Sequence, residues 1–156
     1  MIERTDTLTM AKTVDYSSLF LENQLCFPLY AASRLMIKAY QPHLGKLDLT
    51  YPQYLVLLVL WEKDHLTVSQ ISQALMLESN TLTPLLKRLE EKGLLKRTRD
   101  KDDERKVFVT LTSNGKTMRE KAVCIPTEIM KNVDVLNLEE MKALYDHLGK
   151  LIKHLK

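Results

Sequence analysis

The chain has 156 residues, 45% hydrophobic and 28% charged, with a net charge of +3, which fits a single globular domain able to bury a core. Glycine is scarce, at four residues, which argues against a β-rich or loop-rich fold. The best apolar run, Tyr54 to Trp61, is too short to cross a membrane. The first fifteen residues lack the apolar segment of a signal peptide. Two cysteines, Cys26 and Cys124, are too few for a disulfide scaffold and too isolated for a zinc site. The expectation is a cytoplasmic protein without metal or cofactor, in a reducing compartment that leaves a thiol free to react.

Residues 1–16 show no periodicity and are expected to form a flexible N-terminal arm. From Ser17 to Leu44, Leu21, Leu25, Leu29, Ala32, Leu35 and Met36 recur at three-to-four spacing and predict a long helix. Pro28 should kink that helix or fray its first turn, and Gly45 should stop it. Thr50-Tyr51-Pro52 reads as a helix start, and the segment to Trp61 is apolar on nearly every face, as a central helix would be. After a loop at Glu62–His65 and the lead-in Leu66–Ser69, a short helix is predicted over Gln70–Leu75. A second helix is expected to be capped at Glu78 or Ser79 and stopped by Gly93. Leu94–Arg99 and Lys106–Leu111 read as strands joined through the polar loop Asp100–Arg105. Thr112 should cap a helix to about Asn132, and Asn137-Leu138-Glu139-Glu140 is a capping box for a terminal helix to Lys156.

The fold class that follows is mainly α with a small β-hairpin wing: a winged helix-turn-helix over residues 50–111. Residues 17–49 and 112–156 would supply helices for a homodimer interface.

The charge distribution supports a nucleic-acid partner. Nine of the 23 Lys and Arg residues lie between Lys87 and Lys106, against six acids, so the basic surplus of the whole chain sits in that stretch. A helix entering the major groove needs small hydrogen-bonding residues near its start, which Ser79, Asn80, Thr81 and Thr83 provide. Lys87 and Arg88 follow for phosphate or guanine. The strands and hairpin add Arg97, Arg99, Arg105 and Lys106, with an arginine at the wing tip suited to a narrow minor groove. The competing reading is a solvated charged face. Asp102, Asp103 and Glu104 are expected to pair with Arg105 or its basic neighbours and hold the shape of the wing.

Cys26 invites two readings. Early in a helix, where the helix dipole favours thiolate, it is placed for redox chemistry, with Tyr30, Tyr40 and Tyr51 able to donate hydrogen bonds to it without adding charge. A lone cysteine on an apolar helix is most often a small core residue, and the residues alone favour that reading. His43, His65, His147 and His154 show no metal-ligand spacing.

The stretch Leu66–Leu111, with Leu-Thr-Pro-Leu-Leu-Lys-Arg-Leu-Glu at 82–90 and Asp-Glu-Arg at 103–105, resembles the winged-helix regulators of the MarR family. Leu21-Glu22-Asn23-Gln24-Leu25-Cys26-Phe27 and Leu49–Leu55 are similar to the organic hydroperoxide regulators (OhrR) within it. The resemblance covers about Leu21 to Pro126. It implies a homodimeric repressor on a palindromic double-stranded operator, with Asp103 and Arg105 in a wing that enters the minor groove and an organic hydroperoxide as effector. It also implies that Cys26 is the sensor, that Tyr40 and Tyr51 reach its thiolate from the other subunit, and that Tyr30 lies near the site. For the oxidised thiol two partners stay open: Cys124, or a small-molecule thiol, because the position matching the family's resolving cysteine holds Lys131. The alternatives are a repressor released by a reversibly bound phenolic or apolar ligand, a DNA-binding module without an effector, and a thiol peroxidase, against which the missing two-cysteine redox motif argues.

Overall fold

The computed structural model of the chain describes residues 15–103, 105–131 and 135–156. Most of the expected 1–16 arm, Glu104 and the expected helix end near Asn132 lie outside those residues. The chain divides into two units, residues 1–36 and 37–156.

In the first unit the helical stripe does not begin at Ser17. Ser17–Leu19 and Leu21–Asn23 are separate single turns of 3₁₀ helix, and the continuous helix α1 starts at Cys26 and runs to Gly45. The local chemistry explains the delay. The Asp15 carboxylate accepts the backbone N–H of Ser17 at 2.8 Å and its hydroxyl at 2.9 Å, and Asn23 Nδ2 donates to the Ser17 carbonyl at 2.8 Å. These side-chain bonds replace the helical ladder. Pro28 then falls in the first turn of α1, where its missing N–H costs no helical bond. The apolar stripe in this unit is uncovered: Leu21, Leu25 and Leu35 are all exposed.

The second unit is built on α2 (Tyr51–Glu62), whose Val56, Leu57 and Leu60 are fully buried, as its all-round apolar sequence requires. Thr50 N–H donates to Gln53 Oε1 at 3.0 Å, closing the start of that helix. Helix α3 (Val68–Leu75) begins two residues earlier than the sequence suggests, because Thr67 caps it reciprocally with Gln70. Met76, at φ 53°, makes the turn into α4 (Ser79–Glu91). That helix buries Leu82, Leu86 and Leu89 at four-three spacing and leaves its polar face outward.

Leu66–Thr67 is a short strand, β1, that the sequence does not disclose. It pairs antiparallel with β3 (Val107–Leu111), which pairs on its other edge with β2 (Leu95–Arg99), giving the order β1-β3-β2. Leu66 stands opposite Val109, and Arg97 stands opposite Val109 from the other side. Gly93, at φ +67°, ends the α4 turn into β2.

Thr112 caps the next helix by accepting the Gly115 N–H at 3.1 Å while donating to the Gly93 carbonyl at 2.6 Å. That helix stops earlier than expected: α5 covers Ser113–Ala122, and a separate α6 covers Ile125–Met130. Pro126, at the head of α6, supplies no N–H to a continuous ladder, and the helix breaks just before it. Asn137 accepts the N–H groups of Glu139 and Glu140 and opens α7 (Leu138–Leu155), as its capping box predicts.

Candidate functional site

Cys26 is exposed and is the first residue of α1, at the positive end of the helix dipole. Within the single chain it lies outside the buried core. Tyr30, one turn on, is also exposed.

Tyr40 and Tyr51 come together from α1 and α2, with ring centroids 5.0 Å apart in an edge-to-face pair. Tyr54, which sequence reasoning treated only as part of the apolar central helix, completes the group at 5.9 Å from Tyr40 and 6.5 Å from Tyr51. Burial raises the phenol pKa of Tyr40 and Tyr51, and pushes that of Tyr54 up to about 12. All three are therefore neutral phenols at physiological pH. Among the described residues neither the Tyr40 nor the Tyr51 hydroxyl makes a hydrogen bond, so both protons are available to an acceptor. Spacing could have marked Tyr54, since it follows Tyr51 by three residues on one helix face. The cluster continues to Trp61, whose ring lies 6.1 Å from Tyr54 and whose Nε1–H donates to the Gly115 carbonyl at 2.9 Å.

Cys124 is exposed and immediately precedes α6. Beside this helix break an open cavity of about 360 Å³ is lined by Tyr54, Leu58, Trp61, Ala122 and Val123, with Glu62 and Arg119 among its walls.

A second surface is formed by α4 and the β2–β3 hairpin. Ser79, Asn80, Thr81 and Thr83 are exposed on the first turns of α4, and Lys87 and Arg88 are exposed further along. Thr83 donates to the Ser79 carbonyl at 2.7 Å, whereas Asn80 donates to Glu78 at 3.1 Å and accepts from Thr81 at 3.2 Å. Lys87 reaches Glu91 at 4.0 Å, a solvent-exposed pair of little energetic weight. Between α3, α4 and the hairpin lies a cleft bounded by Thr67, Ser69, Gln70, Thr83, Arg105 and Lys106.

The hairpin turn is organised by a residue the sequence reading passed over. Asp100 accepts the backbone N–H groups of Asp102 at 2.8 Å and Asp103 at 3.0 Å, which holds its carboxyl below the usual range. Aspartate bonding the backbone two and three residues on is the local signal that could have found it. Asp103 accepts the Arg105 N–H at 3.2 Å and pairs with Lys106 at 3.4 Å, so it holds the wing's shape as expected. Glu104 lies outside the described residues. Arg99 and Arg105 point to solvent without an ion-pair partner among the described residues.

Arg97 differs from the expectation that it faces DNA. Its guanidinium and its backbone N–H are both taken by Glu90 of α4. The described residues contain no group of three or more metal-ligating side chains, and no helix among them is long and apolar enough to cross a membrane.

Residues 38–122 match the family model of the transcriptional regulator SarA/Rot. Over 135 residues the chain is 50% identical to the organic hydroperoxide resistance transcriptional regulator of Bacillus subtilis, covering 86% of this chain and 91% of that protein. Its fold is similar to that of AbfR of Staphylococcus epidermidis. Reduced AbfR bound to DNA is 43% identical, with a TM-score of 0.71 over 87% of this chain and 94% of that one. The disulfide form of AbfR is 41% identical with a TM-score of 0.60, over 86% and 91%. These relatives are regulators, not enzymes, which removes the thiol peroxidase reading. The chain belongs to the SarA/Rot family of winged-helix transcriptional regulators.

Proposed function

We propose that the protein is a homodimeric repressor that binds a palindromic operator and releases it when an organic hydroperoxide oxidises Cys26. The observation that carries this reading is an exposed thiol at the head of α1 in a chain half-identical to an organic hydroperoxide resistance regulator. The α4 face (Ser79, Asn80, Thr81, Thr83, Lys87, Arg88) reads the major groove, while Arg99, Arg105 and Lys106 present the wing to the backbone and minor groove. Asp103 keeps the wing in shape for that contact. The structures of AbfR on DNA and in a disulfide form support both the partner and the redox switch.

In the oxidising step the Cys26 thiolate attacks the O–O bond of the hydroperoxide. A sulfur–oxygen bond forms and the alkoxide leaves, taking a proton to become an alcohol, so the thiol is oxidised to sulfenic acid and the peroxide is reduced. A second thiol, from Cys124 or a small cellular thiol, then attacks the sulfenic sulfur, forming a disulfide and releasing water. The neutral phenols of Tyr40 and Tyr51 are donors to the thiolate across the dimer, with Tyr30 beside the site. Losing that acceptor repositions the two recognition helices.

The cavity beside Trp61 favours a second reading, in which a phenolic or apolar ligand releases the repressor and Cys26 is dispensable. One experiment separates the two. With a duplex selected by the wild-type protein from a random-sequence pool, Cys26→Ser is expected to bind as the wild type does. Treatment with cumene hydroperoxide should weaken wild-type binding by about tenfold or more and leave Cys26→Ser bound. Normal release of the serine variant would reject thiol sensing.

A further inference from the structure

One carboxylate joins the last turn of α4 to the wing. Glu90 Oε1 accepts the backbone N–H of Arg97 at 2.8 Å, and Oε2 accepts its Nε–H at 2.9 Å, with Arg97 Nη2 2.7 Å from the same oxygen. The two side chains are only 28% and 33% exposed, which separates them from the solvated pairs elsewhere on this surface. The backbone bond holds the Glu90 carboxyl below its usual range, so it is charged at neutral pH. Arg97 sits at the centre of β2, opposite Val109 of the middle strand, so the bond grips the hairpin itself and not a loose side chain. A forked guanidinium–carboxylate contact of this kind fixes direction as well as distance.

We propose that Glu90 is a positioning residue for DNA binding, which through Arg97 locks the wing to the recognition helix so that Arg105 and the α4 face meet the duplex together. This rests on the reading of α4 and the wing as the DNA-contacting elements. Major-groove and minor-groove contacts made by one subunit act jointly only if the two elements keep a fixed separation. Arg97 then contributes by holding the wing, and leaves phosphate contact to its neighbours.

Electrostatics alone predicts the opposite sign. Glu90 is a negative charge beside a polyanion, so its neutralisation should tighten binding and free Arg97 for a phosphate. The test measures binding of the full-length protein to the selected duplex at several salt concentrations, with thermal unfolding as a check on folding. Glu90→Gln and Arg97→Lys are each expected to weaken binding about five- to tenfold without changing the salt slope. Arg105→Ala should lower that slope by about one. In the Arg105→Ala background Glu90→Gln should cost little more, because the wing contact it positions is already gone.

Equal or tighter binding by Glu90→Gln overturns the proposal, as does a loss that adds in full to that of Arg105→Ala. Should Glu90→Gln fold poorly, Arg97→Lys alone decides: it keeps the charge, so wild-type affinity in that variant means the fork is not needed. A wild-type protein that selects no duplex, with Arg105→Ala indistinguishable from it, overturns the DNA-reading assignment and the positioning role with it.

Discussion

A methyl group added at Gly115 would stand 2.0 Å from the Leu94 carbonyl oxygen, which already accepts the Thr112 N–H at 3.1 Å. The obstacle is backbone on both sides, so relief requires α5 to part from the start of β2, at the root of the wing. Gly93 is a different case: a Cβ there meets open space, and only its φ of +67° opposes substitution. Gly115→Ala should therefore lose about 3 kcal/mol or more, against about 1 kcal/mol for Gly93→Ala, in urea unfolding. Equal losses at the two sites would mean that backbone conformation and not close approach governs this corner. Nothing in the sequence separates these glycines, because the crowding at Gly115 comes from a residue 21 positions away. Arg97 illustrates the same limit. Within a basic stretch it reads like Arg99, two residues on, and only the turn at Gly93 brings Glu90 back to it. Cys26 and Tyr51 lie in the segments Leu21–Phe27 and Leu49–Leu55 that carry the resemblance, whereas Tyr40 lies in neither and is singled out only as a phenol that the resemblance implies.

Elements that announce themselves by local chemistry were readable: Thr50-Tyr51-Pro52, Gly93 and Asn137 marked their boundaries, and the hairpin followed from its polar turn. Elements defined by distant partners were not. Leu66–Thr67 is a strand only because β3, some forty residues later, pairs with it. The late start of α1 depends on Asp15 and Asn23 competing for the backbone of Ser17. Within the second unit, the packing of Tyr40 against α2 carries its own signature, three tyrosines whose protons are held more tightly in the folded chain than in the unfolded one. Because their folded pKa values are raised, this contribution to stability is complete below pH about 10, the unfolded phenol value. It is lost as pH rises towards about 12, where Tyr54 ionises. Urea midpoints are expected to fall across that window, and to fall less in Tyr54→Phe. An identical alkaline loss in both proteins would show that the cluster does not set it.

At the scale of the whole molecule the most informative element is α7, an amphipathic helix whose apolar side chains are left without burial. Leu138, Met141, Tyr145, Leu148, Ile152 and Leu155 of α7 alternate three-four spacing, the seam of a helix that packs along its length against another helix. Yet no residue of α7 is buried, and Leu138 and Tyr145 are 86% and 79% exposed. An apolar seam of this regularity, left in water, is costly at about 25 cal/mol per Å² of apolar surface, and a second copy of the chain would cover it. Two half-sites on a palindrome would then be bound by one particle, and the second contact would be intramolecular. Replacing Leu148 and Ile152 together by Glu puts two charges on the seam while leaving the core of α2, α3 and α4 untouched. That variant should sediment as a folded monomer, and its affinity for the full palindrome should fall by about a hundredfold or more. A dimer with wild-type affinity would place the interface elsewhere. A monomer that still bound the palindrome as tightly would separate operator recognition from dimerisation altogether.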